Sequence, residues 1–566
     1  AAGNVTFSGA VGGSTRLGTL NIVTAGDVTA GAITLAAFDQ DAGTGTTTFN
    51  GAVNTNTSAG VVVANTNLAV NAAVTTTGNG VVTFTQSGTT TIAAAGNIVS
   101  DGAVTVTSGG GTTTSADVTT TADAIQFASN TAVNADLTLN TTSGGAAGAA
   151  ITFGANITNG GANDLILNAG TGGAITVAGT TSVTDLTLTN GASAVFTGNV
   201  TVNDLITAST ATTITLNGST NTFAAAMDFV NTGTVTLGNA TGDQSTFASG
   251  LDFSGNAPLA LQGTITTTND AVTFGTGGVT LGAASAVATA GGLVTFEGLL
   301  NGGHNLTVTA AAGNVTFSGA VGGSTRLGTL NIVTAGDVTA GAITLAAFDQ
   351  DAGTGTTTFN GAVNTNTSAG VVVANTNLAV NAAVTTTGNG VVTFTQSGTT
   401  TIAAAGNIVS DGAVTVTSGG GTTTSADVTT TADAIQFASN TAVNADLTLN
   451  TTSGGAAGAA ITFGGNITNG GANDLILVAG TGGAITVAGT TAVTDLTLTS
   501  GASAVFTGNV TVNDLITAST ATTITLNGAA NTFVEAIDFV NTGTVTLGNA
   551  TGDQSSFASG LDFSGN

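Results

Sequence analysis

Residues 1–256 recur without a gap as residues 311–566, in a constant register of 310. Ten positions differ, so 246 of the 256 are identical; the changes include Ala225/Glu535, Met227/Ile537 and Thr246/Ser556. Residues 257–310 occur once. Internal repetition constrains the architecture before any motif does, because the same residues must serve twice in one fold. Residues 1–310 are read as a first long unit and 311–566 as a second, incomplete copy. The sequence stops where a second copy of 257–310 would begin, which suggests a window cut from a longer tandem array.

A shorter, looser period runs inside the long one. Val-Thr-Phe or Ile-Thr-Phe ends at Phe7, Phe84, Phe153, Phe274, Phe296 and Phe317, the last three being 22 and 21 residues apart. A polar residue followed by Leu-x-(Leu/Val/Ile) recurs at Asp136, Asp164, Asp185 and Asn305, and Leu165, Leu186 and Leu205 are spaced by 21 and 19. Period-2 alternation puts Val5 and Phe7 on one side of a strand and Thr6 on the other. Strand-like runs every 20 or so residues are too close for sandwich domains and fit single coils of a solenoid. One coil cannot bury its inward row alone, whereas stacked coils bury a continuous column. The expected fold is an all-β parallel β-helix (β-solenoid) of about 20 residues per coil, hence about fifteen coils in 310 residues. It should run as one continuous solenoid without a linker.

Composition narrows the chemistry. The chain has two basic residues (Arg16 and Arg326), 29 acidic ones, one His and no Cys, for a formal charge of -27. Nucleic-acid binding needs clustered Lys and Arg, and zinc or thiol chemistry needs Cys or grouped His; both are excluded. Disorder pairs low hydrophobicity with dense charge, whereas 41% of this chain is apolar and 5% charged. No run of 18 apolar residues is present, so membrane insertion of this segment is not expected.

The phrases Val5-Thr6-Phe7-Ser8-Gly9-Ala10-Val11-Gly12-Gly13, Leu17-Gly18-Thr19-Leu20-Asn21-Ile22 and Asn163-Asp164-Leu165-Ile166-Leu167-Asn168-Ala169-Gly170-Thr171-Gly172 resemble filamentous-haemagglutinin-type and autotransporter-like surface proteins. Those are giant bacterial proteins with β-strand repeats. The resemblance implies a right-handed parallel β-helix exposed on the cell exterior, and no particular ligand.

Few residues qualify as sites. Asp39 and Asp41, repeated as Asp349 and Asp351, form Asp-x-Asp-x-Gly before a turn, the way Ca²⁺ loops gather hard oxygens. The closing Glu of a full twelve-residue loop is missing, and a solvated turn is the favoured reading. No cofactor is required, and Ca²⁺ is the one candidate. Gly160-Gly161-Ala162-Asn163-Asp164-Leu165 is a fainter Ca²⁺ motif, and is not tandem. A catalytic solenoid of the pectate-lyase kind needs clustered carboxylates beside a basic residue, but the arginines lie one whole repeat apart. Arg16 and His304 therefore read as charges in turns, and the chain as non-enzymatic. Thr-x-Thr phrases such as Thr105-Val106-Thr107 would form outward rows, as in ice-binding solenoids, although alternation alone puts Thr outside.

The expected function is that of an extracellular structural protein: the rigid, repetitive shaft or fibre of a bacterial surface adhesin, filament or sheath mediating adhesion or cell contact, or contributing to a biofilm matrix. The alternative is a ligand-binding solenoid, for ice or for glycans through Ca²⁺. The expected partners are the chain itself, end to end or side by side, and cell-surface or matrix glycans. Nucleic acid and membrane are not among them.

Overall fold

The computed structural model describes residues 3–565; Ala1, Ala2 and Asn566 lie outside them. The described residues contain strands, turns and bends and no helix, so none is long and apolar enough to cross a membrane. The protein is a β-solenoid of about 27 turns, with parallel strands stacked about 21 residues apart.

One coil shows the construction. Thr90–Ile92, Ile98–Ser100 and Val104–Ser108 run along three successive faces. The next coil lays Thr112–Thr114, Val118–Thr120 and Ile125–Phe127 on them, with Thr90 opposite Thr112, Ile98 opposite Val118 and Val104 opposite Ile125. Three or four residues suffice for a strand because each extended segment is held from both sides. Corners follow where Gly, Asn, Ser and Ala interrupt the β-branched run. At Gly60 the corner requires φ of +63°, and a Cβ there would meet the Val81 carbonyl oxygen at 1.9 Å.

Corner length varies while strand register does not. Paired residues are as little as 18 positions apart (Leu17 and Leu35) and as much as 28 apart (Leu137 and Leu165). The longest intervals absorb polar loops such as residues 141–150, which blurs the period in the sequence without disturbing the stack.

Inward positions form columns. Val61, Val82, Val104, Ile125, Ile151 and Ile175 lie over one another on one face and are fully buried. Two residues along runs Val63, Phe84, Val106, Phe127, Phe153 and Val177, equally buried. The rings of Phe127 and Phe153 stack with centroids 5.5 Å apart. One inner corner is polar, which alternation does not predict. Gln86 donates to the Val63 carbonyl at 2.9 Å, Thr90 to the Gln86 Oε1 at 2.9 Å, and Ser108 to the Thr90 hydroxyl at 2.7 Å. Buried polar groups persist where they are hydrogen-bonded to one another.

The chain divides into two compact units, one ending at Ser285 and the other starting at Ala286. The division falls within the strand Val279–Thr289, ahead of the repeat junction at 310/311. In the second unit Leu327–Thr334 pairs with the preceding strand Leu306–Thr309, and Leu327 is 1% exposed. Its counterpart Leu17, in the first described coils, is 46% exposed.

Replacing Phe127 by Ala opens a hole between Val106 and Phe153 and should cost about 3–5 kcal/mol. Each coil touches only its neighbours, so hydrogen exchange should quicken at residues 104–106, 125–127 and 151–153 and stay unchanged several coils away.

Candidate functional site

The corners carry the charge, and the structure shows what holds it there. Where the chain bends into a strand, an Asn or Asp side chain accepts the backbone N–H of the residue stacked on it in the next coil. Asn156 Oδ1 takes the Thr180 amide at 2.9 Å and Asp117 Oδ1 the Thr138 amide at 2.8 Å. The longest acidic series is Asp136, Asp164, Asp185 and Asp204, each carboxylate accepting the amide of the next, at 3.0, 3.2 and 3.1 Å. The second copy repeats it with Asp446, Asp474, Asp495 and Asp514, at 3.0, 3.2 and 3.2 Å. An amide bonded to a carboxylate is a strong, charge-assisted pair. Stacking also places like charges one strand spacing apart.

The protonation equilibria register both effects. Partial burial, then the neighbouring Asp185 charge, raises the carboxyl pKa of Asp204. Burial also raises Asp514, followed by Asp495 and by Glu535, a charge absent from the first copy, where Ala225 stands. Asp474 is raised by burial first, with Asp495 and Asp446 adding to it. Asp101 and Asp411 behave oppositely. The amides of Asn79 and Asn389, then the hydroxyls of Thr121 and Thr431, hold them below the usual carboxylate range.

Asp39 lies in Ile33–Gln40, opposite Asn21 on one side and Val62 on the other. Gln40 between the two acids turns inward, is fully buried and accepts the Thr47 hydroxyl at 2.6 Å, so alternation sends Asp39 and Asp41 to the outer side. The second copy is the same at Asp349, Gln350 and Asp351, and burial followed by the Asp351 charge raises the Asp349 pKa. Among the described residues no group of three or more acidic, His or Cys side chains is placed to hold a metal ion. Asp164 belongs to the corner series described above.

Arg16 reaches the carbonyls of Leu35 (2.5 Å) and Asn54 (3.1 Å), on the next two coils, and Arg326 repeats this with Leu345 and Asn364. Its guanidinium is a clasp across coils, a role that a turn position alone does not reveal. His304 is exposed in the turn between Leu300–Asn301 and Leu306–Thr309. Outward threonines do align: Thr29 with Thr48, Thr91 with Thr113, and Thr201, Thr222, Thr246 and Thr266 in succession. Ala69 and Ala132 interrupt the file. Three-residue strands such as Thr90–Ile92 and Thr112–Thr114 present one outward residue each, so over these coils the file is one residue wide.

The grooves are shallow. One of about 400 Å³ is lined by Met227, Leu251 and the acids Asp228, Asp252 and Asp270. Asp228 there is engaged by the amide and hydroxyl of Ser254, and Asp252 by the amide of Phe253. These carboxylates cap turns. No family model, curated protein or solved structure matches this chain.

Asp185→Asn keeps the Oδ1 acceptor for the Asp204 amide and removes a charge from the stack. A raised pKa means that ionised Asp204 opposes folding above its folded pKa, and that this cost vanishes as pH falls through it. The variant should therefore raise the stability of the first unit at pH 7 by up to about 1 kcal/mol, with the gain fading as pH falls through the raised pKa of Asp204 and gone below the ordinary carboxylate value of about 3.9. Asp101→Asn should do the reverse. It lowers stability at neutral pH, and the gap closes as pH falls through the depressed pKa of Asp101, because the wild type then loses its carboxylate too. Denaturant midpoints of both variants across that pH range check the signs.

Proposed function

We propose that this chain is a structural element that works without catalysis: a stretch of the shaft or fibre of an extracellular bacterial surface protein serving adhesion, cell contact or a surface matrix. The observation that carries this reading is the parallel strand stack found in each unit, with corner acids such as Asp164 and Asp474 bonded to backbone amides of the next coil. Each coil adds one strand spacing, about 4.8 Å, so reach scales with the number of repeats. Load along the stack is shared by many backbone hydrogen bonds and by the packed columns of Val, Ile, Leu and Phe. A charge of -27 with almost no cations keeps such strand-rich surfaces from pairing sideways. Repeated, individually weak contacts along the outer faces would add up by multivalency.

Antibodies raised against the chain should label the outside of intact cells of the source organism in immunogold electron micrographs. Label confined to the cytoplasm overturns the reading. The native chain should also resist proteinase K over hours; trypsin is uninformative, because only two arginines are present and both are bonded to carbonyls.

The threonine file favours one second reading, binding of ice along that face. It predicts thermal hysteresis in solutions of the chain that is reduced by Thr113→Tyr; freezing-point measurements without hysteresis dismiss it.

A further inference from the structure

The chain contains ten Asn-Gly steps. Glycine has no Cβ to shield its backbone nitrogen, so that nitrogen can attack the carboxamide carbon of the preceding Asn when the side chain swings round to meet it. The fold keeps most of these side chains off that course. Asn159 accepts the amides of Gly161 and Asn163 and donates to the Thr184 hydroxyl at 3.1 Å, while the Val133 carbonyl takes the Gly160 amide at 2.8 Å. Asn469 is held in the same way. Asn301 accepts the Ser324 amide at 3.0 Å, and Asn50 and Asn360 each accept a neighbouring Asn carboxamide at 2.9 Å. Asn190, Asn217 and Asn527 are half-buried.

Asn79 and Asn389 differ from the rest. Among the described residues they are the Asn-Gly asparagines that are exposed and whose carboxamide bonds to nothing. Each is the third residue of a turn, 77–80 or 387–390, whose two central residues have positive φ, +66° and +57° in the first copy and +67° and +60° in the second. Gly and Asn are the residues such turns select. The Gly80 amide is held by the Thr77 carbonyl at 3.3 Å, a long bond. We propose that Asn79 and Asn389 are sites of spontaneous modification, at which the carboxamide becomes a mixture of Asp and isoaspartate. The Gly80 nitrogen bonds to Asn79 Cγ, the Cγ–Nδ2 bond breaks, and the Gly80 proton leaves with Nδ2 as ammonia. Water then opens the cyclic imide at either carbonyl. One opening gives Asp; the other gives isoaspartate, which routes the main chain through the side-chain carbon and lengthens the turn by a methylene. Both products put a carboxylate beside Asp101, which accepts the Asn79 amide at 2.9 Å. The longer turn also displaces the Gly80 carbonyl, the acceptor for the buried hydroxyls of Thr76 and Ser100. The chemistry needs no partner and does not depend on the shaft reading.

The test incubates the 566-residue chain in mildly alkaline buffer, folded and in urea, and follows peptic fragments by mass spectrometry. In the folded chain the fragment holding Asn79 or Asn389, identical in the two copies, should gain the mass of amide-to-acid conversion and carry isoaspartate. It should do so about tenfold or more faster than fragments holding Asn159, Asn469 or Asn301, whose side-chain bonds must first break. In urea the Asn-Gly steps should react at similar rates. Hydrogen exchange of the aged folded chain should quicken at residues 76–80 and 98–102 and their counterparts. Asn79→Ser should leave the Asn389 fragment reacting as before, and Asn79→Ser with Asn389→Ser should abolish both the conversion and the change in exchange. Conversion at Asn159 or Asn301 as fast as at Asn79 in the folded chain, or none at Asn79 and Asn389 once the unfolded chain has reacted, overturns the proposal.

Discussion

Everything in this protein depends on the hydrogen bonds between one coil and the next. A three-residue strand such as Ile98–Ser100 has no stability of its own. It is extended because Val74 lies opposite Ile98 on one side and Val118 on the other. The same bonds bring like side chains into register, so a Val or Phe in one coil finds an apolar neighbour above and below it. The core is therefore a set of files along the stack, each filled by small changes of residue from coil to coil. Val63, Phe84, Val106 and Phe127 succeed one another in this way, large side chains alternating with smaller ones.

The corners solve a harder problem. A bending chain breaks the ladder and strands amide donors near the surface, where an unmet donor is costly if water cannot reach it. Asn and Asp just ahead of the strand or at its first position meet that need from the coil below. This gives the acidic residues a structural task and explains why they recur with the repeat. The same task brings a cost, because partial burial and then the carboxylate of the adjacent coil both disfavour the charged form, and together they raise the pKa values of Asp204 and Asp514. Where the partners are two donors and no second acid, as at Asp101, the balance reverses.

Identical sequence does not give identical surroundings in a stack of this kind. Leu17 and Leu327 have the same neighbours in sequence and opposite exposures. Leu237 and Leu547 repeat the contrast. What a residue experiences is decided by the coil laid against it.

Much of this was legible in the residues. The roughly 20-residue recurrence of Val-Thr-Phe and of Asp-Leu-x-Leu implied stacked coils, since a strand of that length has nowhere else to bury its alternate side chains. The polar residue ahead of Leu165 and Leu186 was visible too, but its purpose was not, because its partner amide lies some 20 positions away across a corner of variable length. The clasp made by Arg16 and the inward turn of Gln40 were hidden for the same reason. Local alternation and composition determined the strands and the solenoid class. Only the tertiary structure decided which residues meet between coils and how each acid is held, because those depend on register across corners whose length no local pattern sets.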